Sequence, residues 1–279
     1  MTELAGSYGR SVWDGRRVLA YTFMLAFLLY MLAPLTIIAV TSVGRTWFGP
    51  TWLPQEWGLQ WYELAATIGN IPEVLKNSLI IAALAVVMSL ALALPTAWAL
   101  GRRNVPLRSL LSTLVLLPRM LPPIAFALGV AKLFYGLGLV DTLFGVALAH
   151  VTITLPFALL VLSATFAGID ERLIEAAEVC GARPWRTFLW VILPLAMPGI
   201  LSAAIFVFTT SYNEFTLTLL TYGPHTLTLP VQTYLVIGDG FVPIASAISM
   251  ILLVPSLLVL LLIQSQLKPD KLIGGLKGV

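Results

Sequence analysis

Six long apolar runs, at 18–43, 75–100, 110–135, 140–165, 195–221 and 242–266, constrain this chain more than any other feature. Each exceeds the roughly 20 residues that a helix needs to cross a ~30 Å hydrocarbon layer. Inside such a layer no water bonds to exposed amides, so every N–H and C=O must be satisfied within the segment. Runs of this length meet that demand as helices. Only 10% of the 279 residues are charged, against roughly 25% in a soluble domain, so the chain lacks the polar surface of a water-soluble globule. The predicted fold is all-α: a polytopic membrane protein with six transmembrane helices, forming one transmembrane domain over 1–279. The first run is too long for a signal-peptide core and has no small-x-small cleavage site, so it is predicted to be retained.

Twelve of the 16 Lys and Arg residues fall in alternate gaps between the runs. Arg10, Arg16 and Arg17 precede the first run, and Arg102, Arg103 and Arg108 follow the second. Arg172, Arg183 and Arg186 follow the fourth, and Lys268, Lys271 and Lys277 follow the sixth. The other gaps hold only Arg45, with Lys76 at a run edge. Basic loops stay on the cytoplasmic side, so both termini and the loop 166–194 are predicted to lie there. The chain then divides into a first helix with its external loop (1–74), a core (75–266) and a cytoplasmic tail (267–279). One cysteine excludes a disulfide framework, and no basic tract of nucleic-acid type occurs. There is no G-x-x-x-x-G-K-[ST] and no H-E-x-x-H pattern, so neither a nucleotide-binding loop nor a zinc-protease helix is present.

Several positions inside or beside the runs carry chemistry. Pro118, Pro122 and Pro123 remove backbone donors from the third run, which predicts a kinked or broken helix there. Arg119 sits among them, placed either to snorkel to the headgroups or to face a path. Glu214 is the clearest acid within a run; exposure to lipid is costly, so it is a functional candidate. Counting ~20 residues from Pro194 at 1.5 Å each places it near the outer mouth, with Lys132 and Lys76 as candidate partners. Asn213 and Tyr212 precede it, but adjacent helix residues point different ways, so the three do not share one lining. His150 reads as a hydrogen-bonded packing residue, Asp141 as a helix cap and Cys180 as a small packing residue. Asn77-Ser78 opens the second run, where either side chain caps orphan amides. Trp47, Trp52, Trp57, Trp61 and Tyr62 crowd the first external loop; they read as an interfacial belt or as a landing surface for an external protein.

The loop after the fourth run reads as two short helices. Asp170 caps the first, whose acidic first turn suits the helix dipole. Leu173, Ile174 and Ala177 share one face and Glu171, Glu175 and Glu178 another. Gly181 is placed to end that helix in a left-handed conformation, and Pro184 to start the next. The second helix carries Trp185, Phe188, Leu189 and Ile192 on one side and ends at Leu193-Pro194, where the fifth run begins.

Glu175-Ala176-Ala177, three residues, Gly181, nine residues and then Val191-Ile192-Leu193-Pro194 resembles the cytoplasmic loop of ABC importer permeases. Only the first Ile of Ile-x-Leu-Pro differs, being Val191. From about residue 75 to 266 the chain resembles the transmembrane core of type I ABC importer permeases. Within them it is most similar to the spermidine/putrescine subfamily. Leu117-Pro118 with Leu121-Pro122, Ser211-Tyr212-Asn213-Glu214-Phe215 and Thr228-Leu229-Pro230-Val231 carry that narrower likeness. Polyamine permeases often have Asp where this chain has Asn213 and Glu214, and sugar permeases often have Trp-Asn-Glu there.

The resemblance implies a non-catalytic subunit with no catalytic or metal site and no cofactor of its own, ATP and Mg being bound by a separate ATPase. The implied setting is the bacterial cytoplasmic (inner) membrane. The implied partners are membrane lipid, a second permease (a paralogue in preference to a second copy), two ATPase subunits and a periplasmic or extracellular solute-binding protein, with no nucleic acid. It implies that Glu175, Ala176, Ala177, Gly181, Arg183 and Pro194 couple the chain to the ATPase. Glu214, Asn213, Tyr212 and Arg119 are the candidates for the solute path. A polyamine-like solute leads, ahead of sugars or polyols, phosphonates, opines, thiamine and iron. An ion-driven carrier or channel would need more intramembrane ionisable groups or an internal repeat, and a scaffold would hold an ATPase without passing solute.

Overall fold

A computed structural model describes residues 8–47, 51–102 and 108–266. The predicted tail 267–279, with its three lysines, and Arg103 lie outside these residues. Among the described residues five helices are long and apolar enough to cross a membrane, and one bent pair makes a sixth span. The fold is thus the all-α polytopic one, and the span edges fall within about four residues of the run edges except in the fifth, which covers Pro184–Tyr212.

Helix α1 (Tyr8–Val43) runs along α12 (Val242–Gln266) and is otherwise exposed from Val18 to Ile37. A short hairpin follows, β1 (Gly44–Thr46) against β2 (Glu56–Trp57), and then α2 (Gln60–Ile68). Neither was legible as an element in the tryptophan-rich loop. The tryptophans are divided in role. Trp61 Nε1 donates to the Gly44 carbonyl at 2.6 Å and so ties α2 to the hairpin, whereas Trp52 is 95% exposed.

The centre is α3 (Ile71–Arg102), α6 (Leu143–Ala167) and α9 (Leu193–Tyr212), packed on one another. Their contact faces are small: Ala85, Ala93, Ala97, Ala158, Ala196 and Ala203 are fully buried. In lipid there is little hydrophobic gain from pairing apolar helices, so small side chains that let backbones approach closely are what favours the contact. Ser89 and Thr154 meet at 2.9 Å between α3 and α6. Thr154 spends its hydroxyl proton on the His150 carbonyl, so Ser89 is the donor to Thr154.

Two spans are broken. The third splits into α4 (Arg108–Met120) and α5 (Pro123–Leu137), bent by 106°. Pro122 lacks an amide proton and disfavours helix at Leu121, while Pro123 takes the first position of α5, where a missing N–H costs nothing. The fifth predicted run, read as one helix, instead ends at Tyr212. Asn213–Phe215 are not helical, and α10 (Thr216–Thr221) resumes beyond them. The connection between α10 and α12 contains α11 (Leu229–Gly238), an apolar helix too short to span.

Candidate functional site

At one end of α6, α7 (Glu171–Val179) and α8 (Pro184–Thr187) form the predicted helix, stop and helix. Asp170 Oδ1 accepts the Arg172 amide at 3.0 Å, capping α7 as its position foretold. Gly181 has φ +80. Its amide donates to the Glu178 carbonyl at 2.9 Å and that of Ala182 to Ala177 at 3.0 Å. Those bonds use carbonyls that the helix end would leave unpaired. Arg183 stands just before α8 and lends its carbonyl to the amides of Arg186 and Thr187.

One side of the loop is anchored. Ile174 and Phe188 pack against the cluster built by α3, α6 and α9, with Phe188 edge-on to Trp98 at 6.0 Å. The other side is open. Glu175, Ala176, Gly181, Arg183 and Pro194 are exposed, Ala177 is half-buried, and Val179 is 88% exposed. Four expectations are corrected here. Leu173 does not join Ile174 against the bundle and is exposed; Trp185 and Leu189 likewise part from Phe188 and Ile192. Cys180 faces solvent instead of packing. Nor does a helix end at Leu193-Pro194: α8 passes through a wide turn at Phe188–Ile192 straight into α9. The loop is therefore continuous with a core span.

The two broken spans meet across a cavity of about 470 Å³. Pro118, Arg119 and Leu121 line it from the first break, and Asn213, Glu214 and Phe215 from the second. Arg119 neither snorkels freely nor pairs with a carboxylate. Its Nε donates to the Ile153 carbonyl at 3.0 Å and its guanidinium lies 4.5 Å from the Phe157 ring centroid, a cation–π geometry.

Glu214 sits at the cavity wall, yet its side chain is only 8% exposed. Oε1 accepts the Leu217 amide at 2.8 Å; Oε2 accepts the Thr218 amide at 2.9 Å and the Thr218 hydroxyl at 3.1 Å. The carboxylate thus occupies the free amides of α10's first turn. Its nearest ring neighbour is His150, whose Nε2 lies 3.4 Å from Oε2; among the described residues it pairs with neither Lys132 nor Lys76.

His150 is 1% exposed and touches both sides of the break. Nδ1 lies 2.7 Å from Ser211 Oγ on α9, and Nε2 lies 2.8 Å from Thr218 Oγ1 on α10. Thr218 already donates to Glu214, so the proton between His150 and Thr218 belongs to Nε2, and Ser211 donates to Nδ1. The polar line Ser89, Thr154, His150 and Glu214 runs through α3, α6 and the break. This linkage was missed in the sequence. Its only local signal is the polar pair His150 and Thr154, one turn apart in an apolar run.

Asn213 lines the cavity with Glu214, but Tyr212 does not. It is 1% exposed and packs with Val74, Leu229 and Ile248, away from the cavity. Ser78 does cap a helix, though not its own: its Oγ accepts the Leu229 amide at 2.9 Å, at the start of α11. Asp141 is not the cap of α6 either. Thr142 holds that place by accepting from the Gly145 amide at 3.0 Å.

Residues 92–271 match the model of a protein family described as binding-protein-dependent transport system inner membrane component. The spermidine/putrescine transport system permease protein PotC of Escherichia coli (strain K12) is 30% identical over 251 residues, 90% of this chain and 94% of that protein. The trehalose/maltose transport system permease protein MalG of Thermococcus litoralis is 34% identical over 213 residues, 75% of this chain and 77% of the other. A chain of a bacterial ABC transporter involved in import of the acidic polysaccharide alginate superposes with a TM-score of 0.74. It is 20% identical and covers 91% of this chain and 97% of that one. At that identity the likeness establishes the fold.

Proposed function

The chain belongs to the binding-protein-dependent transport system inner membrane components, the non-catalytic permease subunits of ABC importers, and from that premise we propose how its parts divide the work. The loop around Gly181 docks on a separate ATPase on the cytoplasmic side, where both termini also lie. Glu175, Ala176, Ala177, Gly181, Arg183 and Pro194 form or shape the docking face. The cavity between the broken spans is this subunit's share of the solute path, completed by a second permease and fed by a solute-binding protein outside. ATP and Mg act on the ATPase.

The observation that carries this reading is a loop, exposed on one side, that joins without interruption to α9, which ends at the cavity. A push on α7 and α8 is thereby delivered to the break at Asn213. The test is solute uptake into proteoliposomes holding both permeases, the ATPase and the binding protein. Uptake that requires internal ATP supports the reading, and equal uptake without the ATPase would point to an ion-driven carrier.

For the solute, the 30% identity to a spermidine/putrescine permease over most of both chains favours a polyamine-like cation. A sugar-like or acidic solute is favoured by a different observation: the carboxylate at the cavity is already committed, and Arg119 is the charge that faces it. Arg119→Gln separates the two. With spermidine as solute, uptake holds or rises, because a repelling cation is gone. With a carboxylated or polyhydroxylated solute, uptake falls about tenfold, the effect of one lost charge-assisted hydrogen bond. Radiolabelled spermidine and maltose, each with its own binding protein, provide the readout.

A further inference from the structure

One short segment crosses the end of the bundle opposite the α7–α8 loop. Residues 223–229, between α10 and α11, are gripped by side chains from two other spans. From the turn between α5 and α6, Asp141 Oδ1 accepts the His225 amide at 3.0 Å and the Thr226 hydroxyl at 3.1 Å. Asp141 Oδ2 lies 2.8 Å from His225 Nδ1. The Asp141 amide in turn donates to the Thr221 carbonyl at 3.1 Å. From α3, Asn77 Nδ2 donates to the carbonyls of His225 and Leu227 at 3.0 and 3.3 Å, beside the Ser78 cap on Leu229.

Two features show that the segment is built around Asp141. Its φ is +57, a conformation uncommon outside glycine and tolerated best by Asp and Asn. A side chain on Gly223 would collide with the Asp141 carboxylate. Nothing in the proposed coupling or solute path uses these residues.

We propose that Asp141 and His225 are positioning residues for transport: their contact clasps the outer ends of α3, α6 and the α10–α11 connection into one body, and loss of the imidazole proton loosens it. This rests on the orientation given above, in which that end faces outside. A loosened clasp lets α10 shift against α6, so motion imposed through α9 is dissipated before it opens the outer mouth.

The charges around His225 are few. Asp141 is its partner, Glu73 in the first turn of α3 adds a second negative charge, and Lys76 lies one turn along α3; α10 and α11 carry none. The hydrogen bond to Asp141, then the attraction of its charge, raises the His225 pKa above the ordinary imidazole value. At Asp141 desolvation opposes ionisation, and the hydrogen bonds from His225 and Thr226 outweigh it, so its pKa is lowered. A raised imidazole contributes fully at low pH and is lost as pH rises through its folded value. A lowered carboxyl contributes above its unfolded value and is lost as pH falls through its folded one. The clasp is therefore firm from about pH 4 to somewhat above pH 6.5 and weakens beyond it.

The test uses the assembled importer in two measurements. Spermidine uptake into proteoliposomes at external pH near 6 and near 8 should fall about two- to fivefold across that interval, the span set by an exposed ion pair. His225→Gln, which does not titrate, should show no such fall. Hydrogen exchange of the His225 and Leu229 amides, corrected for intrinsic pH dependence, should speed up over the same interval in the wild type. That second measurement needs no solute flux, so it decides the clasp even if the importer reading fails. An identical pH profile in wild type and His225→Gln, or exchange indifferent to pH, overturns the proposal.

Discussion

Gly181→Pro abolishes solute uptake, with a loss of at least about 30-fold, the scale of one interface hot spot. Proline holds φ near −65° and has no amide proton. Gly181 needs φ +80 and donates to the Glu178 carbonyl. The chain then cannot reverse between α7 and α8, so Glu175, Ala176 and Ala177 lose their placement relative to Arg183. Because α8 runs into α9 without a joint, the misdirected loop also loses its lever on the core span. The permease should still reach the membrane, since α7 buries little against the bundle, but a tagged ATPase should no longer copurify with it. Gly181→Asn is the matching control: asparagine tolerates the left-handed conformation and should keep most of the activity. Full uptake by the proline variant would mean that the loop transmits nothing.

His150→Leu produces the largest loss of stability. It leaves Ser211 without its acceptor and removes the ring proton next to the Glu214 carboxylate, deep in the protein. Leaving buried polar groups without a hydrogen-bond partner costs about 1–3 kcal/mol, or roughly 5 °C in Tm for a chain of this size. The loss has a diagnostic partner. Adding Glu214→Gln to His150→Leu removes the stranded charge and should recover part of the stability, so the two changes are not additive. Glu214→Gln alone should cost less, about 1 kcal/mol, because a capping acceptor on α10 persists while its charge is lost. Thermal unfolding of the detergent-purified complex measures all three. Strict additivity would show that the two side chains do not depend on each other.

What was legible in the sequence follows from how local each cause is. The sixth run begins at Val242, where α12 begins, and was legible because a helix must be long and apolar to cross the hydrocarbon layer. The stop at Gly181 was legible because a left-handed glycine and a proline three residues later act within one turn. The break at Pro122-Pro123 was legible for the same reason. The break at Asn213 was not, and the imidazole that bonds both sides of the gap lies 61 and 68 positions from its two partners. Glu214 was singled out for its charge, but a sequence gives no hint that α10's own amides already occupy that charge. Tyr212, beside it in sequence, points into a different cluster. Asp141 and His225 are 84 positions apart, and no periodicity connects two loop residues at that distance.

The bent third span also says something about how such a chain is made. Among the described residues α4 has 13 residues and α5 has 15, about 20 Å each, and the bend between them interrupts a ~30 Å crossing. Insertion machinery that handles one nascent segment at a time meets two half-rods with a guanidinium near their joint. Their lasting contacts are to α6 and α10, which emerge from the ribosome afterwards. This segment must therefore wait, incompletely settled, for later parts of the same polypeptide, and a version truncated before α10 would leave it orphaned for membrane proteases to find.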